Sequence, residues 1–152
     1  MFFKVNDMVT MIKRFDELTP KEIHSIYQLR VDVFVVEQNC PYHEVDDFDL
    51  QAYHAFLKEN DQILAYCRIL PPHTTFQTSS IGRVIATERR KGYATKLLKE
   101  AIPFIKKTYK EDTITIEAQT YARKLYENLG FVQTSDPFLE DGIEHIQMKY
   151  HM

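Results

Sequence analysis

The chain has 152 residues and a formal net charge of −3, and 44% of its residues are hydrophobic. This length fits one ordinary domain, so we predict a single domain over residues 1–152. The mild acidity argues against a nucleic-acid partner, because nucleic-acid-binding surfaces are basic. Any basic site in this chain must therefore be local.

The N-terminal segment and the cysteines indicate a cytoplasmic protein. Charged and polar residues interrupt residues 1–15, so the segment lacks the apolar core of a signal peptide, and no apolar run approaches the length of a membrane span. Cys40 and Cys67 form no C-x-x-C pair, which is typical of a reducing compartment and gives neither a disulfide framework nor a zinc ribbon. We expect no membrane partner.

The first half of the chain predicts one helix and then three strands. Residues 19–22, TPKE, have the form of a capping box with proline at the first helical position, and apolar residues at helical spacing follow. We predict a helix over 19–36. Two β-rich runs, 53–58 and 62–70, flank a short polar turn and predict a hairpin, and residues 79–86 predict a third strand.

The second half predicts two helices and three more strands. An amphipathic helix begins near Gly92, and Pro103 predicts a kink or an early end because it removes a backbone amide. A second apolar stripe, residues 122–129, ends at Gly130. The predicted strands are 113–118, 131–134 and 143–150. This alternation predicts a mixed α/β domain with one main sheet.

Residues 88–98, ERRKGYATKLL, place three cations directly before a glycine and the start of a helix. The first amides of a helix lack partners within it, and the helix dipole adds partial positive charge at that end. Gly92 lets the backbone approach a ligand closely, and Arg89, Arg90 and Lys91 can donate charge-assisted hydrogen bonds. We predict a polyphosphate site at this turn.

Two motifs narrow the identity of the polyphosphate. The chain has no Walker G-x-x-x-x-G-K-[ST] and no G-x-G-x-x-G before a helix. Its Arg89-x-x-Gly92-x-Ala94 matches the R/Q-x-x-G-x-G/A loop with which GNAT acetyltransferases grip the pyrophosphate of coenzyme A. The run 122–131, ARKLYENLGF, resembles the second signature of that family, A-x-x-x-Y-x-x-x-G-F.

The resemblance extends over about residues 18–150. The segments 28–42 and 141–146 are similar to the ElaA branch of the GNAT family. One departure is Arg90, at a position where many relatives have glycine.

This resemblance implies a fold and an activity. The fold is a mixed α/β (α+β) GNAT acyl-CoA N-acyltransferase fold, with a central, mostly antiparallel, splayed sheet flanked by helices. The activity is transfer of an acetyl group from the cosubstrate acetyl-CoA directly to the amine of a small molecule or peptide. The cofactor-binding residues that the resemblance implies are Val84, Ile85, Ala86, Arg89, Arg90, Lys91, Gly92, Tyr93, Ala94, Thr95 and Tyr126.

Such a transfer needs a donor for the oxyanion and an acid for the departing sulfur. The resemblance places the donor on the fourth strand, at the backbone of residues 84–86. Gly82 fits either a close approach of another backbone or a strand bulge. Tyr126 falls on the signature tyrosine, and a phenol can protonate a thiolate. Without the resemblance, the alternative is a core role, because an aromatic residue in an apolar helical stripe is usually part of the core.

The base that takes the proton of the amine is not fixed by the sequence. Glu37 is preferred because it lies in the ElaA-like segment, and a water chain is the alternative to a dedicated residue. Histidine titrates near neutral pH and suits the role, although a lone histidine on a strand is more often structural. The candidates are Glu37, His54, Glu117, Glu144 and His145.

Residues 37–49 contain five carboxylates and no lysine or arginine. We expect either that their negative field draws a cationic amine to the site or that they form a solvated acidic loop. His43 lies among these acids, but no H-x-x-x-H or Cys/His pairing accompanies it, so we predict no metal.

A protein of another class would carry the same signals. A non-catalytic sensor or structural protein that binds CoA or acyl-CoA needs the same phosphate loop, but it has no need of the Tyr126 hydroxyl. The identity of the amine stays open. So does a homodimer, because exposed strand edges can pair and the pattern does not show which edges are exposed.

Overall fold

The computed structural model describes residues 8–152, and eight strands in this range form one sheet. The strands are β1 (Met8–Arg14), β2 (Tyr53–Glu59), β3 (Gln62–Leu70), β4 (Ser79–Ala86), β5 (Thr113–Gln119), β6 (Val132–Gln133), β7 (Phe138–Glu140) and β8 (Ile143–His151). Their order is β1-β2-β3-β4-β5-β8-β6, and β7 also pairs with β8. Every pairing is antiparallel except the one between β4 and β5.

Helices cover both faces of the sheet. They are α1 (Pro20–Val31), which continues as a π-helix (Asp32–Glu37), α2 (Tyr93–Tyr109) and α3 (Arg123–Leu129). On one face Phe56, Tyr66 and Ile85 pack with α1. On the other face α2 and α3 cover a larger apolar core that includes Ile116 and Met148. In residues 8–152, no helix combines the length and the apolar character needed to span a membrane.

The sheet splits between β4 and β5. These parallel strands pair only at Ser79 with Ile114 and at Ser80 with Thr115, and then they diverge. The prediction of a mostly antiparallel, splayed sheet flanked by helices is therefore confirmed. The split leaves backbone groups of both strands without a neighbouring strand, and it places a gap near the middle of the sheet.

Local signals identified most elements. The Thr19 side chain accepts a hydrogen bond from the Glu22 amide, as the capping box predicts. A kink or an early end of α2 is predicted at Pro103, and the early end is wrong, because the helix continues to Tyr109. Pro103 and Lys99 are both exposed, so the Lys99 carbonyl that lacks its helical partner can bond to water instead.

Two strands have no counterpart in the sequence analysis, the edge strand β1 and the three-residue strand β7. The helix predicted over 19–36 is observed as α1 and the π-helix that continues it to Glu37. Residues 1–7, part of the segment considered for a signal peptide, lie outside the described residues.

The turn after α3 requires glycine for two reasons. Gly130 caps the helix with φ +107°, and a Cβ there would lie 2.8 Å from Cε2 of Tyr150. We expect Gly130→Ala to lower the free energy of unfolding by about 1–3 kcal/mol, measured by urea denaturation. Gly142→Ala is the matched control, because Gly142 has φ +77° but open space around it. Equal losses in the two variants would show that the Tyr150 contact contributes nothing.

Candidate functional site

The gap between β4 and β5 opens into a cavity of 440 Å³ that passes from one face of the sheet to the other. Tyr126 and Ala122 line it on the side of α3. Glu117, Glu140 and His145 line it on the opposite side, where the β5, β7 and β8 side chains point away from α2 and α3. Groups on the two faces of the sheet can therefore act on one molecule held in the gap.

A bulge in β4 forms one wall of this cavity. Arg68 pairs with Gly82 and Tyr66 with Ile85, so two residues of β4 lie opposite one residue of β3. The first of these is Arg83, whose φ is +52°, a left-handed conformation that is strained for arginine. The bulge interpretation of Gly82 is thus confirmed, and a Cβ at Gly82 would contact nothing within 4 Å.

The backbone beyond the bulge faces the gap at alternate residues. The Thr87 amide donates to the Leu64 carbonyl on the β3 side at 3.0 Å. Because backbone groups alternate along a strand, the amides of Ala86 and Val84 point toward the gap. Ile85 lies between them, and its backbone is directed toward β3. The free amides are thus those of Val84 and Ala86.

Three arginines and three carboxylates form a buried ionic network beside the bulge. Arg30 Nε lies 2.8 Å from Glu44 Oε1, and Arg30 Nη1 lies 2.7 Å from Asp49 Oδ1. Arg68 Nη1 contacts Asp49 Oδ1 at 3.2 Å. Arg83 Nε lies 2.9 Å from Glu44 Oε1. The network therefore fastens the loop before β2 to α1, β3 and the bulge.

Asp46 completes the balance of charge in this network. It contacts Arg68 Nη1 at 2.7 Å and Arg83 Nη2 at 3.4 Å. Tyr42 adds a hydrogen bond to Glu44, and the Arg83 guanidinium lies over its ring, 5.7 Å from the centroid. Neither expectation for the acidic segment holds for all five carboxylates. Glu44, Asp46 and Asp49 neutralise arginines, whereas Glu37 and Asp47 are exposed to solvent.

The basic loop before α2 is exposed and has the conformation of an anion-binding turn. Arg89, Arg90 and Lys91 are exposed, and both Arg90 (φ +63°) and Gly92 (φ +73°) are left-handed. The first amide of α2 that bonds back is Lys96, to the Gly92 carbonyl at 3.0 Å, and no side chain caps the helix. Successive free amides next to a left-handed residue form a concave anion site.

The left-handed conformation also explains why Arg90 is an unusual residue here. Glycine adopts a positive φ without cost, whereas arginine pays about 1–2 kcal/mol for it. Tyr93, Ala94 and Thr95 form the first turn of α2 and are partly buried.

Tyr126 is buried against the core and lines the cavity. Its ring packs edge-on against Phe131, with the ring centroids 5.8 Å apart. Burial raises the pKa of Tyr126 above its usual value, and the neighbouring Cys67 and Tyr121 add to this. The phenol is therefore protonated at neutral pH and has a proton to donate.

The profile of the family described as "Acetyltransferase (GNAT) domain" matches residues 19–152. The chain belongs to the GNAT acetyltransferase family. A UPF0039 protein of Schizosaccharomyces pombe is 40% identical, and the match covers 97% of this chain and all of that protein. Protein ElaA of Escherichia coli is 34% identical, and the match covers 87% of this chain and 89% of ElaA. The resemblance to the ElaA branch is confirmed.

Two crystal structures of GNAT proteins share the fold. The structure of Escherichia coli ElaA superposes with a TM-score of 0.88 at 30% identity and covers 95% of this chain and all of that one. An acyl-CoA N-acyltransferase from Pseudomonas aeruginosa gives a TM-score of 0.87 at 34% identity, with 95% and 99% of the two chains covered. GNAT proteins use an acyl-CoA cosubstrate.

Among the candidate bases of this GNAT domain, two line the cavity. Glu117 has its pKa raised to about 7, by partial burial and then by a hydrogen bond and the charge of Glu140. His145 donates from Nδ1 to the Ile143 carbonyl at 2.7 Å, and its Nε2 lies 3.9 Å from Glu140 Oε2. Glu117, Glu140 and His145 thus form one cluster, which we call the acidic mouth.

The other three candidates lie outside the cavity lining. His54 is fully buried, with Nδ1 2.7 Å from the Tyr66 hydroxyl and Nε2 2.9 Å from the Asp49 carbonyl. Burial lowers its pKa, so His54 is a neutral structural residue. Glu144 and Glu37 are exposed. The role of Glu37 as a base stays a prediction.

Sequence reasoning missed Glu140 and Arg83, which line the cavity. The signal for Arg83 was its place directly after Gly82 in a strand, where a bulge was one interpretation. Nothing local marks Glu140, because β7 is only three residues long. Within residues 8–152, no three His, Cys, Asp or Glu side chains are arranged to hold a metal ion.

Proposed function

We propose that this protein is an N-acetyltransferase that moves an acetyl group from acetyl-CoA directly to an amine. The observation that carries the proposal is the through-sheet cavity, which is lined by Tyr126, with its protonated phenol, on one side and by Glu117 on the other. A direct transfer requires this arrangement, because the acid must reach the sulfur while the base reaches the nitrogen.

The basic loop binds the phosphates of the cosubstrate in this proposal. Arg89, Arg90 and Lys91 donate to phosphate oxygens, together with the free amides at the start of α2. Gly92 presents no Cβ to an approaching phosphate, and its φ of +73° is a left-handed conformation that favours glycine. The acyl end then lies along β4.

The β4 amides of Val84 and Ala86 stabilise the developing charge. As the amine nitrogen bonds to the thioester carbon, negative charge moves to the carbonyl oxygen, and these amides can donate to it. One preorganised donor of this kind is worth about 3 kcal/mol of barrier. The bulge at Arg83 aims them, and the bond between Arg83 and Glu44 holds the bulge in place.

Two residues on opposite faces of the sheet accept and donate the protons of the reaction. Glu117 takes the proton that the amine loses as the new carbon–nitrogen bond forms. Tyr126 gives its proton to the thiolate that leaves as the carbon–sulfur bond breaks, and the resulting phenolate regains a proton from solvent. The products are the N-acetylated amine and free CoA.

The pH profile tests the base. The pKa of Glu117 is raised to about 7, so its carboxylate forms as the pH rises through 7, and kcat/KM should rise over the same range. We expect Glu117→Gln to lower kcat by about 100-fold and to remove that rising limb. Glu144→Gln is the control, since Glu144 is exposed and outside the cavity. If the Glu117→Gln enzyme keeps the rising limb of the native pH profile, Glu117 is not the base, and the role falls to His145, Glu37 or water.

The assay that tests the activity itself is release of free thiol from acetyl-CoA against a panel of amines. We expect release to depend on both the protein and the amine, and mass spectrometry to find the acetylated amine. Binding of CoA without release with any amine would favour a non-catalytic CoA sensor. The cytoplasmic location, expected from the two unpaired cysteines, remains part of the proposal.

A further inference from the structure

The cations that line the cavity are already neutralised. Arg68 and Arg83 are the two arginines of its wall, and carboxylates of the loop before β2 hold both of them. With Arg30 they form a network of three positive and three negative groups. The network therefore has no net positive charge with which to attract a substrate anion.

The acidic mouth has the opposite character. Glu117 lies on β5 and Glu140 on β7, and both strands pair with β8. Their carboxyls are within hydrogen-bond reach of each other, and both residues line the cavity. The third member of the mouth is His145, whose Nε2 lies 3.9 Å from Glu140 Oε2. With two carboxyls and one imidazole, the mouth is negative once the carboxyls ionise.

We propose that the acidic mouth makes the enzyme selective for primary amines that carry no carboxylate beside the amine, and against free amino acids. This inference rests on the proposed function and adds the acceptor class to it. An incoming ammonium relieves the repulsion between Glu117 and Glu140. A carboxylate on the same carbon would instead lie near two like charges, and the charges of Arg68 and Arg83 are already balanced by Glu44, Asp46 and Asp49.

The wall next to the mouth suits the hydrocarbon part of such an amine. Phe34 and Ile143 line the cavity and are only partly exposed. Phe34 packs with the core on the α1 face, and Ile143 lies on the same side of β8 as His145. The expected acceptor is thus a cationic amine with an apolar body.

The test uses acceptors that differ mainly in charge. Phenylalaninamide and phenethylamine are compared with phenylalanine, and the thiol-release rates are corrected to the concentration of neutral amine. We expect kcat/KM for phenylalanine to be lower by about tenfold or more. Glu140→Gln should narrow this ratio, because it removes one of the two charges, whereas Glu144→Gln should leave the ratio unchanged.

Failure of the inference can be distinguished from failure of the proposed function. Equal or better use of phenylalanine by the native protein overturns the selectivity while leaving the transferase intact. If no amine promotes thiol release, the transferase proposal fails. The binding selectivity is then measured by saturation-transfer NMR of phenylalaninamide and phenylalanine with CoA-saturated protein. Preferential binding of phenylalaninamide in that experiment supports the inference, and equal or preferential binding of phenylalanine overturns it.

Discussion

Replacing Tyr126 with phenylalanine should lower kcat at least about 100-fold while leaving the affinity for CoA unchanged. The ring stays packed against Phe131, so the fold loses no contact, and only the proton is removed. Burial holds the pKa of Tyr126 above its usual value, so the native hydroxyl is protonated at neutral pH. The phenylalanine variant has no hydroxyl and therefore no proton to donate.

The neighbouring Tyr121 provides the control for this variant. It also lines the cavity, but 77% of its surface is exposed. Tyr121→Phe removes a phenol from the same region without removing the buried one, and we expect its kcat to stay within about twofold of the native value. A Tyr126→Phe enzyme with native kcat would show that Tyr126 is a core residue and that the thiolate takes its proton elsewhere.

Replacing Arg30 with methionine should lower the free energy of unfolding by about 3–5 kcal/mol. Arg30 is fully buried and makes four hydrogen bonds to Glu44 and Asp49. Methionine fills much of the same space, but it leaves two buried carboxylates with fewer partners. The exposed Arg14, whose ion pairs are 3.4–3.5 Å long, supplies the control, and Arg14→Met should cost less than about 1 kcal/mol.

The cost of removing Arg30 should also depend on pH. Burial alone would raise the pKa of Asp49, but the hydrogen bond and charge of Arg30 lower it below its usual value. A carboxyl with a lowered pKa stabilises the fold above its unfolded pKa, about 3.9, and loses that contribution as the pH falls. Urea denaturation at pH 7 and pH 4 should therefore show a smaller difference between native and Arg30→Met protein at pH 4. A difference that does not change with pH would contradict this account of the network.

The sequence predicted those parts of the fold whose signals are local. The hairpin β2–β3 has polar residues at its turn, α2 has an apolar stripe, and α3 ends at a glycine. Each of these patterns lies within one element, so neighbouring residues suffice to identify it. The short strand β7 and the edge strand β1 carry weaker patterns, because they bury little and β7 has only three residues.

The site was predictable on the cosubstrate side and less so on the acceptor side. The loop at Gly92 and the tyrosine of α3 belong to contiguous motifs. The ionic network joins residues 14 to 39 positions apart, so no local pattern could show that Glu44 neutralises both Arg30 and Arg83. Glu117 and Glu140 likewise meet only because β8 lies between their strands. Counting charges along the sequence therefore predicted the negative field at residues 37–49, whereas the carboxyls of the acidic mouth, Glu117 and Glu140, line the cavity.

A crystal structure with acetyl-CoA bound tests the central claim most directly. We expect the diphosphate within hydrogen-bond distance of the amides that begin α2, above Gly92, and the sulfur between β4 and the Tyr126 hydroxyl. Phosphates bound elsewhere, or a thioester that does not enter the gap between β4 and β5, would contradict the account.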